Sequence, residues 1–204
     1  MTPGNQNAYL RSVFTLMMFS SIFLGFTAPV PAKESVLSLS SFIASVWNGD
    51  ARALRGVYVR QVMALPIAQQ PVGHAGYVSN NSRILTQFNM AAEAGNVGLL
   101  AHNYLAGAAF PQLAIGQEVN LIYGDGSVES FIVTDIQRYQ ALNPYSTTSN
   151  FRDLDTNVSV SAQELFREVY RGDRHVTFQT CIEANGNASW GRLFIIAEPK
   201  SMVH

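Results

Sequence analysis

The sequence predicts a mostly β protein: a closed or nearly closed barrel of about eight short strands, with short helices among them and an N-terminal helix ahead. Three observations predict it. Seven short β-rich runs, at 82–88, 97–102, 118–123, 128–139, 158–161, 175–182 and 192–198, follow one another from Tyr77 onward. Turn signals stand between them, namely Gly124-Asp125-Gly126, Asn143-Pro144 and Asn185-Gly186-Asn187. Helical signals are few in this region. They amount to a turn near 105–110 and one helix over 162–170, for which Ser161 and Glu164 form a capping box.

The elements justify themselves in order along the chain. Arg11 closes a short polar start, and 13–26 (VFTLMMFSSIFLGF) carries no charge. Small residues at Val30 and Ala32 then suit a cut before Lys33, so 1–32 is expected to be a signal peptide or signal anchor. The apolar run is shorter than the roughly 20 residues of a spanning helix, which favours cleavage. Val36, Leu39, Phe42, Ile43, Val46 and Trp47 recur at spacings of three and four and predict an amphipathic helix within 33–62. Two prolines and two glycines in 65–76 predict a linker. The expected division is therefore a leader (1–32), a helix and linker (33–76) and a barrel domain (77–204). Within the barrel, the glycine turn between LIY and SVESFIV predicts a hairpin.

At 204 residues the chain accommodates one ordinary domain plus a leader. Charged residues make up only 13% and the net charge is −1, with no basic stripe to displace counterions from a nucleic acid, so nucleic acid is excluded as a partner. There is one cysteine, Cys181. It cannot form an internal disulfide, and in an exported protein an unpaired thiol is either buried and inert or kept for its reactivity.

The last two runs bear on that choice. Cys181 ends one strand, and Arg192 opens the next after a polar connection, so a hairpin brings thiol and guanidinium within a side-chain length. Thiolate is the nucleophilic form, and an imidazole or a positive group nearby favours it. His102, at the end of the apolar run VGLLAH, is the natural partner. His175 lies six residues before Cys181 on the same strand, about 20 Å away at 3.3 Å per residue. His74 falls in the linker and His204 is the terminal residue. Taken singly, each of the three has a plainer reading: a buried small hydrophobe, a structural histidine, an arginine paired with Glu183 or Glu198.

Taken together, Leu-Ala-His-Asn at 100–103, Thr-Phe-Gln-Thr-Cys at 177–181 and Trp-Gly-Arg-Leu-Phe at 190–194 resemble the sortases, nearest to their class D, E and F members. The family's Thr-Leu-x-Thr-Cys signature is matched except that Phe178 replaces leucine. The segment 107–127 also resembles the stretch after the family's histidine. The resemblance spans about 77–198. It implies a sortase-type barrel and a cysteine transpeptidase that cleaves a Leu-Pro-x-Thr-Gly-like sorting signal after threonine. The partners implied are that peptide and an amine acceptor, either a cell-wall precursor or a pilin lysine. The implied location is extracytoplasmic, secreted or held at the outer face of the membrane through the N-terminal segment. Cys181 would be the nucleophile, His102 the acid/base and Arg192 the donor to the substrate carbonyl. Thr180 and Asn103 would neighbour the substrate. No cofactor or metal is implied, and specificity is expected from the polar stretch 140–155. The alternatives are a hydrolytic sortase-like peptidase and a non-enzymatic binding barrel with an inert thiol. An L,D-transpeptidase would need an arginine close after the cysteine and a glycine-rich run before it, and both are missing here.

Overall fold

The computed structural model describes residues 37–146 and 148–203. The expected leader lies outside the described residues. Helix α1 (Leu39–Val46) starts at Ser38, whose side chain accepts the Ser41 N–H. The stripe read from the sequence is real but short: Phe42 and Val46 are buried, packing with Tyr58 and Ile122, while Trp47 is left outside.

The strands are β1 (Leu54–Val59), β2 (Met63–Gln69), β3 (Leu85–Phe88), β4 (Val97–Leu100) and β5 (Glu118–Tyr123), followed by β6 (Val128–Ala141), β7 (Phe151–Asp153), β8 (Ser159–Val160), β9 (Val176–Ala184) and β10 (Asn187–Pro199). Their pairing order is β10-β9-β4-β3-β2-β1-β5-β6, and β6 pairs again with β10. That last pairing closes an eight-stranded barrel, as expected. The short strands β7 and β8 continue from β6 outside the ring. Two of the barrel pairings, β2–β3 and β4–β9, are parallel; the rest are antiparallel.

Two expectations need correction. The chain is helical only to Val46, and 54–69 forms the hairpin β1–β2, which belongs to the barrel wall. The barrel therefore begins ahead of Tyr77. Pro66 made this stretch read as a linker, but it sits just before the residues that pair with β3, where β2 has a neighbour on one side only. Part of the polar stretch 140–155 is also regular, since Phe151–Asp153 pairs with the end of β6.

Alternation along β9 and β10 sorts their side chains into two layers. Val176, Phe178, Leu193, Ile195 and Ala197 fill the barrel interior with residues such as Val57, Leu99, Leu121 and Phe131. Their alternates face outward, where α3 (Ala162–Tyr170) covers Phe194, Tyr139 and Phe151. The capping box of α3 is present: Ser161 Oγ accepts the Glu164 N–H, and the Glu164 carboxylate accepts the Ser161 N–H at 2.8 Å. A short α2 (Asn89–Glu93) leads into β4, and a 3₁₀ turn (Ala106–Gln112) follows it.

Candidate active site

Three adjacent strands, β4, β9 and β10, build the site, and their register decides which side chains meet. Cys181 and Arg192 are direct antiparallel partners. Residues so paired share a face, with Cβ atoms about 4.5–5.5 Å apart. The β9–β10 connection differs from the one expected. Both strands run further, and the turn is only Asn185-Gly186, each with positive φ (53° and 72°), the conformation of a type I′ hairpin turn. Arg192 thus stands within its strand rather than opening it. Just before it, β10 bulges, running from Asn187 to Gly191 while β9 runs only from Ala184 to Ile182.

On the other side of β9, β4 runs parallel with Leu100 level with Gln179, and the Ala101 N–H donates to the Gln179 carbonyl at 3.2 Å. Carried two residues further, that register brings His102 level with Cys181. The thiol therefore lies between imidazole and guanidinium, in a row across three strands. All three line one cleft of about 370 Å³, and each is partly exposed. Phe88, Leu100, Phe166, Tyr170 and Phe194 give the cleft an apolar floor, and Ser146 and Phe151 border it. Part of the stretch expected to set specificity thus flanks the cleft.

Arg192 is held in place. Its Nη1 donates to the carbonyls of Gly191 at 2.8 Å and Ser189 at 3.0 Å, and its guanidinium lies 6.0 Å from the Phe151 ring centre. Its side chain makes no other hydrogen bond to the described residues, so Nη2 and Nε remain free to donate. The His102 ring stacks on Tyr104, with centroids 5.3 Å apart and planes 19° from parallel. The sequence reading missed Tyr104, Phe151 and the bulge carbonyls. An aromatic two residues after His102 was the one available signal.

Of the two residues expected beside the substrate, Thr180 lines the same cleft as the three, and Asn103 lines a neighbouring cleft that Cys181 also borders. Thr180 alternates with Cys181, is 3% exposed, and donates its hydroxyl to the Ala101 carbonyl at 2.8 Å. Asn103 Nδ2 donates to the Ala188 carbonyl at 3.3 Å, joining the loop after β4 to the β10 bulge. His175, set aside on distance, is buried, with its ring nitrogens on the carbonyls of Asp173 and Val169. Burial pushes the Tyr170 phenol up, and its hydroxyl donates to Gln179 Oε1 at 2.5 Å. No group of three or more His, Cys, Asp or Glu side chains is arranged to hold a metal among the described residues, and no helix there is long and apolar enough to cross a membrane. A partly exposed thiol between an imidazole and a guanidinium can attack a carbonyl and exchange a proton with the imidazole, while the guanidinium offers N–H donors to an oxyanion.

No family model and no curated protein matches the chain. Solved structures do. Listeria monocytogenes sortase A is 14% identical over 74% of this chain and 88% of that one, with a TM-score of 0.47. A lid mutant of Streptococcus agalactiae sortase C1 is 14% identical over 81% and 86%, with a TM-score of 0.47. Clostridium perfringens sortase C, solved with the C-terminal cell wall sorting motif, is 14% identical over 79% and 83%, with a TM-score of 0.49. These similar structures are sortases of classes A and C.

Proposed function

We propose that the chain is a sortase-type cysteine transpeptidase acting at the cell surface. The observation that carries this reading is the row His102–Cys181–Arg192 along one cleft wall, formed by register rather than by loops. The Cys181 thiolate attacks the threonyl carbonyl of a Leu-Pro-x-Thr-Gly-like peptide. The C–N bond to glycine then breaks, and the glycine amine leaves with a proton from the His102 imidazolium. A thioester remains on Cys181. An amine acceptor, losing its proton to His102, attacks that thioester, forms the new amide and frees the thiolate. The free N–H groups of Arg192 donate to the carbonyl oxygen as it gains charge. The partial exposure of Cys181 at the cleft argues against an inert, buried thiol.

The test is incubation of the protein with Leu-Pro-x-Thr-Gly-like peptides and an amine, with products read by mass spectrometry. Threonyl–amine products with wild type and none with Cys181→Ala are expected. A threonyl acid formed at the same rate with and without amine identifies hydrolysis instead. Failure of a small methanethiosulfonate to label Cys181 in the folded protein overturns the reading.

A further inference from the structure

We propose that Thr180 is a positioning residue whose hydroxyl, together with the close approach of Gly107, fixes where His102 stands; this rests on the reading of His102 as acid/base. His102 lies beyond the last ladder pair of β4, so the sheet alone does not hold it. Both peptide groups that flank it are pinned nevertheless. The Ala101 carbonyl, which leads into His102, accepts the Thr180 hydroxyl at 2.8 Å. The His102 carbonyl accepts the N–H groups of Leu105 and Gly107, both at 3.0 Å.

Gly107 is the point where these contacts converge. A Cβ there would stand 2.5 Å from Thr180 Oγ1, 2.8 Å from the His102 carbonyl oxygen and 3.0 Å from that of Ala101. Only a residue without a side chain lets the 3₁₀ turn close on all three. Thr180 borders the cleft but is 3% exposed, and its one hydroxyl hydrogen goes to the Ala101 carbonyl, so the donor serves the histidine loop. Adjacent residues of β9 therefore divide the work: Cys181 carries the thiol, and Thr180 anchors the loop that carries its partner. The thiol–imidazole separation is thereby set within one dipeptide. A shift of about 1 Å in such a group can cost about a hundredfold in rate.

The experiment uses the full chain with Thr180→Val, Thr180→Ser and Gly107→Ala. Peptide turnover is followed beside NMR of the His102 amide and ring signals, assigned by their loss in His102→Gln. Thr180→Val is expected to lower kcat roughly ten- to a hundredfold with KM little changed, and to move the His102 signals. Thr180→Ser is expected to restore both. Gly107→Ala should reproduce the valine result with the Thr180 hydroxyl still present, and it decides the matter if the valine variant does not fold. An unchanged kcat, a rise in KM instead, or a serine variant no better than valine overturns the proposal. If the wild type turns over no peptide, the proposed function fails separately and the NMR readout still decides. His102 signals unmoved by both Thr180→Val and Gly107→Ala overturn the clamp, and signals moved by valine and restored by serine sustain it.

Discussion

Arg192→Lys separates charge from geometry at the proposed site. Lysine keeps the positive charge and most of the stem length but replaces a planar fork of five donors with one ammonium. In the wild type, Nη1 is committed to the bulge carbonyls of Ser189 and Gly191, and the guanidinium, 6.0 Å from the Phe151 ring centre, lines the cleft. The three N–H donors of an ammonium sit on one atom and do not span the width of the fork, so contact with the bulge carbonyls draws it away from the oxyanion. Loss of one donor to a developing oxyanion costs about 2.7–4 kcal/mol, so kcat/KM should fall about 10²–10³-fold. The assay is initial-rate formation of the threonyl–amine product, with circular dichroism to establish that the barrel is intact. Near wild-type activity in Arg192→Lys beside an inactive Arg192→Ala would show that positive charge alone suffices, refuting the assigned role of the fork.

Two further predictions concern stability. Phe178 is fully buried in the barrel and meets Phe110 edge-on, with centroids 5.2 Å apart. Phe178→Leu should therefore cost about 1–2 kcal/mol in urea unfolding, since an aromatic pair is lost and a cavity left. An unchanged midpoint would refute the packing role. Glu129 accepts from Arg174 at 2.8 Å and from the Tyr123 hydroxyl at 2.9 Å. Burial works to raise its carboxyl, but the hydrogen bonds from Arg174 and Tyr123 outweigh it and hold it below the usual carboxylate range. A depressed folded-state value stabilises above the unfolded pKa, and that stability is lost as pH falls through the folded one. The Arg174 and Glu129 side chains are 32% and 35% exposed, so solvent screening limits the effect to about 1 kcal/mol or less. Glu129→Gln should lower stability at neutral pH, with the difference vanishing in acid. A difference that stays constant with pH would refute the assignment.

Much of the fold was legible because its signals are local. The span of β5 and the glycine turn after it, the capping box of α3 and the Cys181–Arg192 pairing all follow from alternation and turn chemistry. The hairpin β1–β2 was not legible. Pro66 is a breaker in isolation, and only the missing neighbour on one side of β2 makes it admissible. The anchoring bond of Thr180 was not legible either. The resemblance at 177–181 placed Thr180 beside the substrate, and it does line the cleft, but a hydroxyl-to-carbonyl bond to a residue 79 positions away has no signature in the sequence. The turn at Asn185-Gly186 was marked correctly, but the polar residues around it hid the continuing strands.

The strand that closes the barrel also carries Arg192. Until β10 docks between β9 and β6, the wall is open along one seam and the thiol lacks one of its two flanking groups. Closure joins the final strand to segments made well before it, the kind of long-range pairing that forms slowly. The arrangement proposed to activate the thiol is thus complete only when the barrel closes, and a chain still being synthesised carries Cys181 without it.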